Sequence, residues 1–283
     1  SESSVFARKM FAESQIKIVG ERLLFDALGG RVRLSAETPL GGGDRSTVSR
    51  FQILDGPAGA PASVVIKRAL ATGTESYDPA IAGTGPAWRL FNDWAALQFL
   101  NEVAGDAALA PRVLAGDWGT GVLVLEDLRS GIGLHEILLG ADPAAAEDAL
   151  VAYSVTLGRM HARTIGKRGA YRQIRDALGP PAHVAVSTAT ESSIQAEQLA
   201  DAFRLTVDTL GVMPATGLDG ELAAVATAWA HPGPFLALVH SDPCPDNCLS
   251  VHSTVQLLDF EFARFDHALI DGVYGRMHFP SCW

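Results

Sequence analysis

The texture of the chain changes near residue 130, and that change constrains the fold more than any other feature. Before it, short runs alternate apolar and polar residues as half-buried strands do. Arg31-Val-Arg-Leu-Ser-Ala-Glu-Thr38 is one such run and Val48 to Leu54 a second, with the glycine-rich break Leu40-Gly-Gly-Gly-Asp-Arg-Ser-Thr47 between them. A third, Ser63-Val-Val-Ile-Lys-Arg68, follows the turn-forming Asp55-Gly-Pro-Ala-Gly-Ala-Pro61, so the three read as consecutive antiparallel strands joined by hairpins. Residues 72–86, rich in Gly, Thr, Ser and Pro, read as a loop. Trp88, Phe91, Ala95, Leu97 and Leu100 then recur at near-helical spacing and predict a helix over Ala87 to Val103, with Gly105 just past its end. Val113 to Ala115 and Val122 to Leu125, around the turn Gly116-Asp-Trp-Gly119, complete a five-stranded antiparallel sheet with one helix.

After residue 130 the apolar stretches are of helix length: Leu134–Leu139, Ala144–Ile165 opened by Asp142-Pro143, Ser192–Leu210 and Leu218–Ala230. Only Leu236–His240 and Val255–Leu258 read as strands there. A sheet-rich first part followed by a helix-rich second part is the α+β pattern, not the alternating pattern of a parallel sheet.

Composition narrows the class further. With 48% hydrophobic and 19% charged residues the chain is globular, and wholesale disorder is excluded. The longest apolar runs, such as Phe235–Val239 and Gly121–Leu125, fall far short of the roughly 18 residues of a membrane helix. The N-terminus carries no basic-then-apolar signal pattern, so a cytoplasmic location and no membrane partner are expected. Twenty-two basic against 32 acidic side chains give a net charge of −10, which repels phosphate backbones and argues against nucleic acid. Three cysteines, Cys244, Cys248 and Cys282, are too few and too oddly spaced for a disulfide framework or a zinc site, and read as small buried thiols.

Phosphoryl transfer from a nucleotide needs backbone donors and a cation on the phosphates, oxygen ligands for Mg²⁺, and a carboxylate beside the attacking hydroxyl. The sequence offers a candidate for each part, in order. Around the glycine-rich turn, Gly42 and Gly43 permit close backbone approach to phosphate oxygens, and the Ser46 and Thr47 hydroxyls add donors. Lys67, in Val-Val-Ile-Lys, is placed by strand alternation on a side where a lysine needs an anion to be tolerable: a phosphate, and a helix carboxylate from Asp93 or, as the alternative, Glu102. Asp242 and Asn247, five apart on the proline-punctuated loop His240-Ser-Asp-Pro-Cys-Pro-Asp-Asn247, can turn a carboxylate to the substrate and an amide oxygen to a metal. Asp259, at a strand end in Leu258-Asp-Phe-Glu261, supplies a second hard oxygen.

His240-x-Asp242-x-x-x-x-Asn247 followed by Asp259-Phe-Glu261 resembles the catalytic loop and metal segment of the aminoglycoside phosphotransferase and choline kinase-like family, relatives of the protein kinases. Leu157-Gly-Arg-Met-His-Ala162 resembles that family's helix preceding the loop. The resemblance runs from about residue 31 to the end. It implies a bilobal protein-kinase-like fold, with 1–128 as an N-terminal nucleotide-binding lobe and 129–283 as a C-terminal catalytic and acceptor-binding lobe. It further implies ATP and Mg²⁺ as cofactors, Asp242 as catalytic base, Asn247 and Asp259 as magnesium ligands, and Lys67 on the α/β-phosphates, paired with Asp93. By the same likeness the backbone from Glu126 to Leu128 is the hinge that meets adenine, and His240 braces the loop.

The chain departs from the family in places. Asp93 stands where a glutamate is usual; the metal segment reads Asp-Phe-Glu with no Ala-Pro-Glu after it, which disfavours protein substrates; and few residues follow it, so helices beyond Trp283 are expected. The implied activity is transfer of the γ-phosphoryl group to a hydroxyl of an aminoglycoside-, amino-sugar- or choline-like acceptor. Asp246, Glu261 and Asp266 lie near the loop and would attract an amine if not engaged structurally, whereas Asp271 reads as a structural acid beside it. The alternative reading is a catalytically silent nucleotide-binding scaffold. The presence of Lys67, Asp242, Asn247 and Asp259 together speaks against it.

Overall fold

The computed structural model describes residues 2–41, 46–70, 77–80, 85–105, 108–179, 196–213 and 215–279. It is a mixed α+β structure with an N-terminal antiparallel sheet and a largely helical remainder. The sheet is built from β1 (Arg33–Leu34), β2 (Thr38–Gly41), β3 (Ser46–Asp55), β4 (Ser63–Ala69), β5 (Val113–Asp117) and β6 (Val122–Glu126), in the order β1-β3-β4-β6-β5, with β2 also paired to β3. β3 to β6 fall on four of the five runs expected from the sequence; the first, Arg31 to Thr38, pairs only at Arg33–Leu34, and β2 starts at its last residue and extends into the expected glycine-rich break, with register slips between Arg33 and Leu34 and between Pro39 and Gly41.

Both faces of this sheet are covered, and strand alternation decides which residue meets which layer. One layer is α1 (Glu2–Leu28), a helix that the sequence did not announce, because few of its apolar residues are enough to seat it. Ile16 and Leu24 are buried, and with Val19 and Leu23 they pack on Leu34, Phe51, Val64, Ile66, Val122 and Val124. Gly20 lets this helix approach closely, since a Cβ there would stand 2.5 Å from Ile66 Cδ1. The other layer is α2 (Gly85–Val103), opposite Val65, Ala69, Leu123 and Leu125. Val64 and Ile66 therefore point to α1, and Lys67, one residue out of phase, points to α2.

Beyond the sheet come β7 (Ile132–Gly133), α3 (Leu134–Leu138), α4 (Pro143–Thr164), α5 (Arg168–Leu178), α6 (Ala196–Leu210) and α7 (Leu218–Ala230). Asp142 caps α4 by accepting from the Ala144 and Ala145 N–H groups, with Pro143 at its first position as the sequence predicts. Of the predicted Ser192–Leu210 helix, residues 192–195 lie outside the described residues. The strands β8 (Leu236–Val239), β9 (Cys248–Val251), β10 (Thr254–Leu257) and β11 (Arg264–His267) form two small antiparallel pairings, β8 with β11 and β9 with β10, and β9 also takes β7. The short helix α8 (Leu269–Gly272) closes the set of described α-helices. No helix among the described residues is long and apolar enough to cross a membrane.

One hydrophobic core runs from α2 through α4 and α5 to the small strands. Phe99, Leu100, Leu134, Met160, Tyr171, Leu238, Val255, Leu257, Phe260 and Phe265 are all buried in it. At roughly 25 cal/mol per Å² of apolar surface removed from water, this continuous core is the main term holding sheet and helices in one arrangement. The loop after β8 and the turn after β10 emerge from it side by side, beneath the α2 face of the sheet.

Candidate active site

Lys67 is 8% exposed and lies between two carboxylates. Its Nζ is 2.7 Å from Asp93 Oδ2 and 2.6 Å from Asp259 Oδ1. Burial works against its charge, but the two carboxylates outweigh it and hold its pKa above the ordinary lysine value. Asp93, 1% exposed on α2, uses its other oxygen to accept from the Phe260 N–H at 2.9 Å. One carboxylate thus ties β4, α2 and the segment after β10 together. Of the two acids that the sequence left open for this lysine, Asp93 is the partner; Glu102 lies on the exposed side of α2.

Asp259 takes φ of 61° at the end of β10, a left-handed conformation that aspartate tolerates better than most residues. Its neighbours are bound to the loop before it. The Leu258 N–H donates to the Asn247 carbonyl at 2.8 Å, and the Leu258 carbonyl accepts from His240 Nε2 at 2.7 Å. His240 is fully buried, its ring centroid 4.4 Å from that of Phe260, and its Nδ1 faces the Asp242 N–H at 3.3 Å. Accepting at Nδ1 and donating at Nε2 assigns the neutral Nε2–H tautomer, so this imidazole braces the loop.

Asp242 and Asn247 are half-buried on that loop, which runs through a short 3₁₀ turn, Pro245–Asn247. Asn247 Nδ2 donates to the Asp242 carbonyl at 2.9 Å and lies 3.4 Å from its Oδ2, which leaves the amide oxygen directed elsewhere. Asp271, fully buried, accepts from the His240 N–H at 2.8 Å, the Ser241 N–H at 2.9 Å and His161 Nε2 at 2.9 Å. It is the structural acid that the sequence suggested, and His161 belongs to the Leu157–Ala162 stretch of α4. Arg264 Nη1 donates to Ser241 Oγ at 2.9 Å, and Tyr274 Oη to the Ser241 carbonyl at 2.7 Å. Sequence reasoning missed both, since an arginine on a short strand and a tyrosine past it carry no motif.

The residues expected around the nucleotide divide. Gly41 is opposite Val48 and Val48 opposite Lys67, so Ser46 and Thr47 stand at the hairpin end of β3, beside Lys67's strand. Gly42 and Gly43 lie outside the described residues. At the expected hinge the Glu126 N–H donates to the Arg112 carbonyl, the Glu126 carboxylate pairs with Arg112 at 3.2 Å, and the Leu128 carbonyl accepts from the Gly131 N–H at 2.8 Å. Asp127 between them is the anchor the sequence did not single out. Its buried carboxylate takes two hydrogen bonds from Arg50, at 2.8 and 2.9 Å, and one from Ser63.

Of the acids considered for an amine, Asp246 lies 3.2 Å from His135 Nδ1, Glu261 pairs with Arg89 at 3.8 Å and Asp266 with Arg264 at 2.9 Å. Among the described residues no group of three or more His, Cys, Asp or Glu is placed to hold a metal by itself. A carboxylate and an amide oxygen, Asp259 and Asn247, fit a hard cation that draws its other ligands from phosphate and water.

No protein-family model matches the sequence, and no curated protein matches it. Solved structures similar to this one include the choline/ethanolamine kinase family protein from Mesorhizobium loti, at 16% identity over 83% of this chain and 61% of that one, with a TM-score of 0.44. APH(2")-IIa, in a ternary complex with streptomycin and ATP, is similar at 14% identity over 88% of this chain and 71% of its own, with a TM-score of 0.45. Macrolide 2'-phosphotransferase type I is similar at 16% identity over 94% of this chain and 76% of its own, with a TM-score of 0.47.

Proposed function

We propose that the chain is a small-molecule kinase that transfers the γ-phosphoryl group of ATP to a hydroxyl of an aminoglycoside-, amino-sugar- or choline-like acceptor, with residues 1–128 holding the nucleotide and 129–283 the loop and acceptor. The observation that carries this reading is the single lysine, Lys67, held between Asp93 and Asp259, with Asp259 tied through Leu258 to the loop that bears Asp242. What supports it is a buried cation and two carboxylates drawn from positions far apart in sequence, with backbone bonds from Leu258 to the loop that carries Asp242 and Asn247. Phosphoryl transfer asks for those parts, and for little covalent chemistry from the protein.

In this reading Lys67 and the hairpin end of β3, with Ser46 and Thr47, contact the phosphates, and Gly42 and Gly43 precede them in the same turn. Asn247 and Asp259 hold Mg²⁺, which neutralises charge on the phosphate oxygens when bound. Asp242 accepts the proton of the acceptor hydroxyl. As that O–H bond breaks, the oxygen bonds to the γ-phosphorus, and the bridging P–O bond breaks with its electron pair leaving on ADP. The stretch Glu126 to Leu128 meets the adenine through backbone groups other than the Glu126 N–H and the Leu128 carbonyl, which are engaged within the protein. An amine on the acceptor would compete with His135, Arg89 and Arg264 for Asp246, Glu261 and Asp266; an acceptor bound through hydroxyls alone would not.

The test is ADP release with Mg-ATP across aminoglycosides, amino sugars, choline and neutral sugars, with Asp242→Asn as the blank. A general base contributes about 10²–10⁴ in rate, so the variant should keep Mg-ATP binding and lose at least about a hundredfold in turnover. Equal turnover in the variant refutes the role of Asp242. Silence across the panel in a protein whose melting temperature Mg-ATP does raise favours the nucleotide-binding scaffold; silence without that rise refutes the kinase reading and nucleotide binding together.

A further inference from the structure

Asp259 holds its left-handed φ of 61° between two sets of hydrogen bonds. Those before it, from Leu258 to Asn247 and His240, belong to the loop. Those after it come from one face of α2. Asp93 accepts from the Phe260 N–H at 2.9 Å, and Asn92 Nδ2 donates to the Glu261 carbonyl at 3.1 Å. Arg89, three residues before Asn92 and four before Asp93, reaches the Glu261 carboxylate at 3.8 Å. A left-handed residue other than glycine persists only where its surroundings over-determine it, and the α2 face supplies the constraint on the side away from the loop.

Asn92 is buried and engaged on its other arm too. Its Oδ1 accepts from Arg175 Nη1 at 3.0 Å. That guanidinium, on α5, is itself buried, bonded to the Tyr171 hydroxyl at 2.9 Å and seated on the Phe91 ring, its carbon 4.2 Å from the centroid. A guanidinium only donates and a carbonyl only accepts, so the two neighbours fix which way the amide points and demand an acceptor on one arm and a donor on the other. Asparagine meets that demand, and its near-isostere aspartate does not.

We propose that Asn92 is a positioning residue for the metal segment, its amide holding the Glu261 carbonyl so that the Asp259 carboxylate stays beside Lys67, where cation and phosphates meet. The role rests on the reading of Asp259 as a magnesium ligand. Arg175 acts one step further out, by fixing the amide.

The test exchanges one atom type. In Asn92→Asp the Arg175 side keeps its acceptor and the guanidinium keeps the new carboxylate ionised, so the stronger bond on that arm offsets the loss on the other and the melting temperature should change little. On the second arm a carboxylate oxygen meets the Glu261 carbonyl, two acceptors with no proton between them, and the segment is pushed off α2. Calorimetry of ATP binding in EDTA and in Mg²⁺ separates the two effects. The affinity in EDTA, which depends on Lys67, should hold, while the gain in affinity that Mg²⁺ brings should shrink about tenfold, the low end of what losing an outer contact to a metal ligand costs. A folded Asn92→Asp protein with the wild-type Mg²⁺ gain overturns the role and leaves the kinase reading standing. Equal losses in EDTA and in Mg²⁺ overturn it too, as general damage to the site. If that variant does not fold, Arg175→Met, which keeps an apolar stem over Phe91 and frees the amide to turn, carries the same expectation and the same refutation. A wild-type protein to which Mg²⁺ brings no gain in ATP affinity overturns the reading of Asp259 as a metal ligand, and this role with it.

Discussion

Replacing Lys67 with methionine removes the one cation from a site that holds two carboxylates. Methionine keeps the length and apolar stem of lysine, so packing against Leu123 and α2 changes little. The cost falls on Asp93, which is 1% exposed and would lose a partner at 2.7 Å. Removing one member of a buried pair costs about 3–5 kcal/mol, because the remaining charge is left without water or counter-ion. Asp93 keeps its hydrogen bond from the Phe260 N–H, which places the expected loss at the lower end, about 3 kcal/mol. Asp259, whose side chain is 36% exposed, recovers solvent and adds at most about 1 kcal/mol. At about 2–4 °C per kcal/mol for a chain of this size, the melting temperature should fall by about 6–12 °C. The double variant Lys67→Met/Asp93→Asn should recover most of it. A neutral amide still accepts from the Phe260 N–H and leaves no buried charge. Urea unfolding followed by tryptophan fluorescence measures both. A single variant within about 1 kcal/mol of wild type, or a double variant no more stable than the single, would refute the claim that Lys67 is the charge partner of Asp93 in the free protein.

Asp259→Ala should weaken Mg-ATP binding at least tenfold by calorimetry while the Lys67–Asp93 pair persists; unchanged affinity would remove it from the metal site. Gly116→Ala should destabilise by about 1–3 kcal/mol in the same urea assay, because a Cβ there would stand 2.3 Å from a Trp94 ring atom, and that ring is stacked on Trp118 at 4.6 Å with no room to retreat. A neutral result would mean that α2 and β5 are not in that contact. The double replacement His252→Asn/Ser253→Gly should stabilise the β9–β10 hairpin by about 1 kcal/mol, since both turn residues hold positive φ, 45° and 65°, where Asn-Gly is favoured. Destabilisation would contradict that turn geometry.

The same turn shows why part of the fold was hidden in the sequence. Period-two alternation announces β3, short apolar runs announce β4 and β6, and hairpin glycines and prolines frame them. Between β9 and β10 the reversal is made by His252-Ser253, a pair that gives no turn signal, so the sequence revealed β10 without its partner. The partner of β8 was hidden for a different reason: Arg264–His267 carries two charged residues whose acids and bases are absorbed by Asp266–Arg264 pairing, a fact of tertiary structure. Helix α1 escaped notice because the residues described against the sheet, Ile16, Val19, Leu23, Leu24 and Leu28, are spaced around polar neighbours and make no continuous apolar run.

The candidate site divides along the same line. Lys67, Asp93, Asp242, Asn247 and Asp259 could be named as candidates from the sequence because a cation with its carboxylate partner, a base and two hard oxygens are what phosphoryl transfer asks for, set at recognisable places on a strand, a helix and a loop. Asp127, Arg264 and Tyr274 could not, because their work is to hold other residues: Asp127 takes Arg50 and Ser63 across the sheet, and Arg264 and Tyr274 take Ser241. A holding residue is selected by the distance it must span, and that distance exists only once the chain has folded. Asp271 is the case between. A carboxylate just past the loop suggested structure from the sequence alone, but that it would accept two successive backbone N–H groups, and so force Ser241 into its left-handed conformation beside the candidate base, follows only from α8 packing against α4. The chemistry of such a site is written in residue types, and its precision in the contacts those residues make.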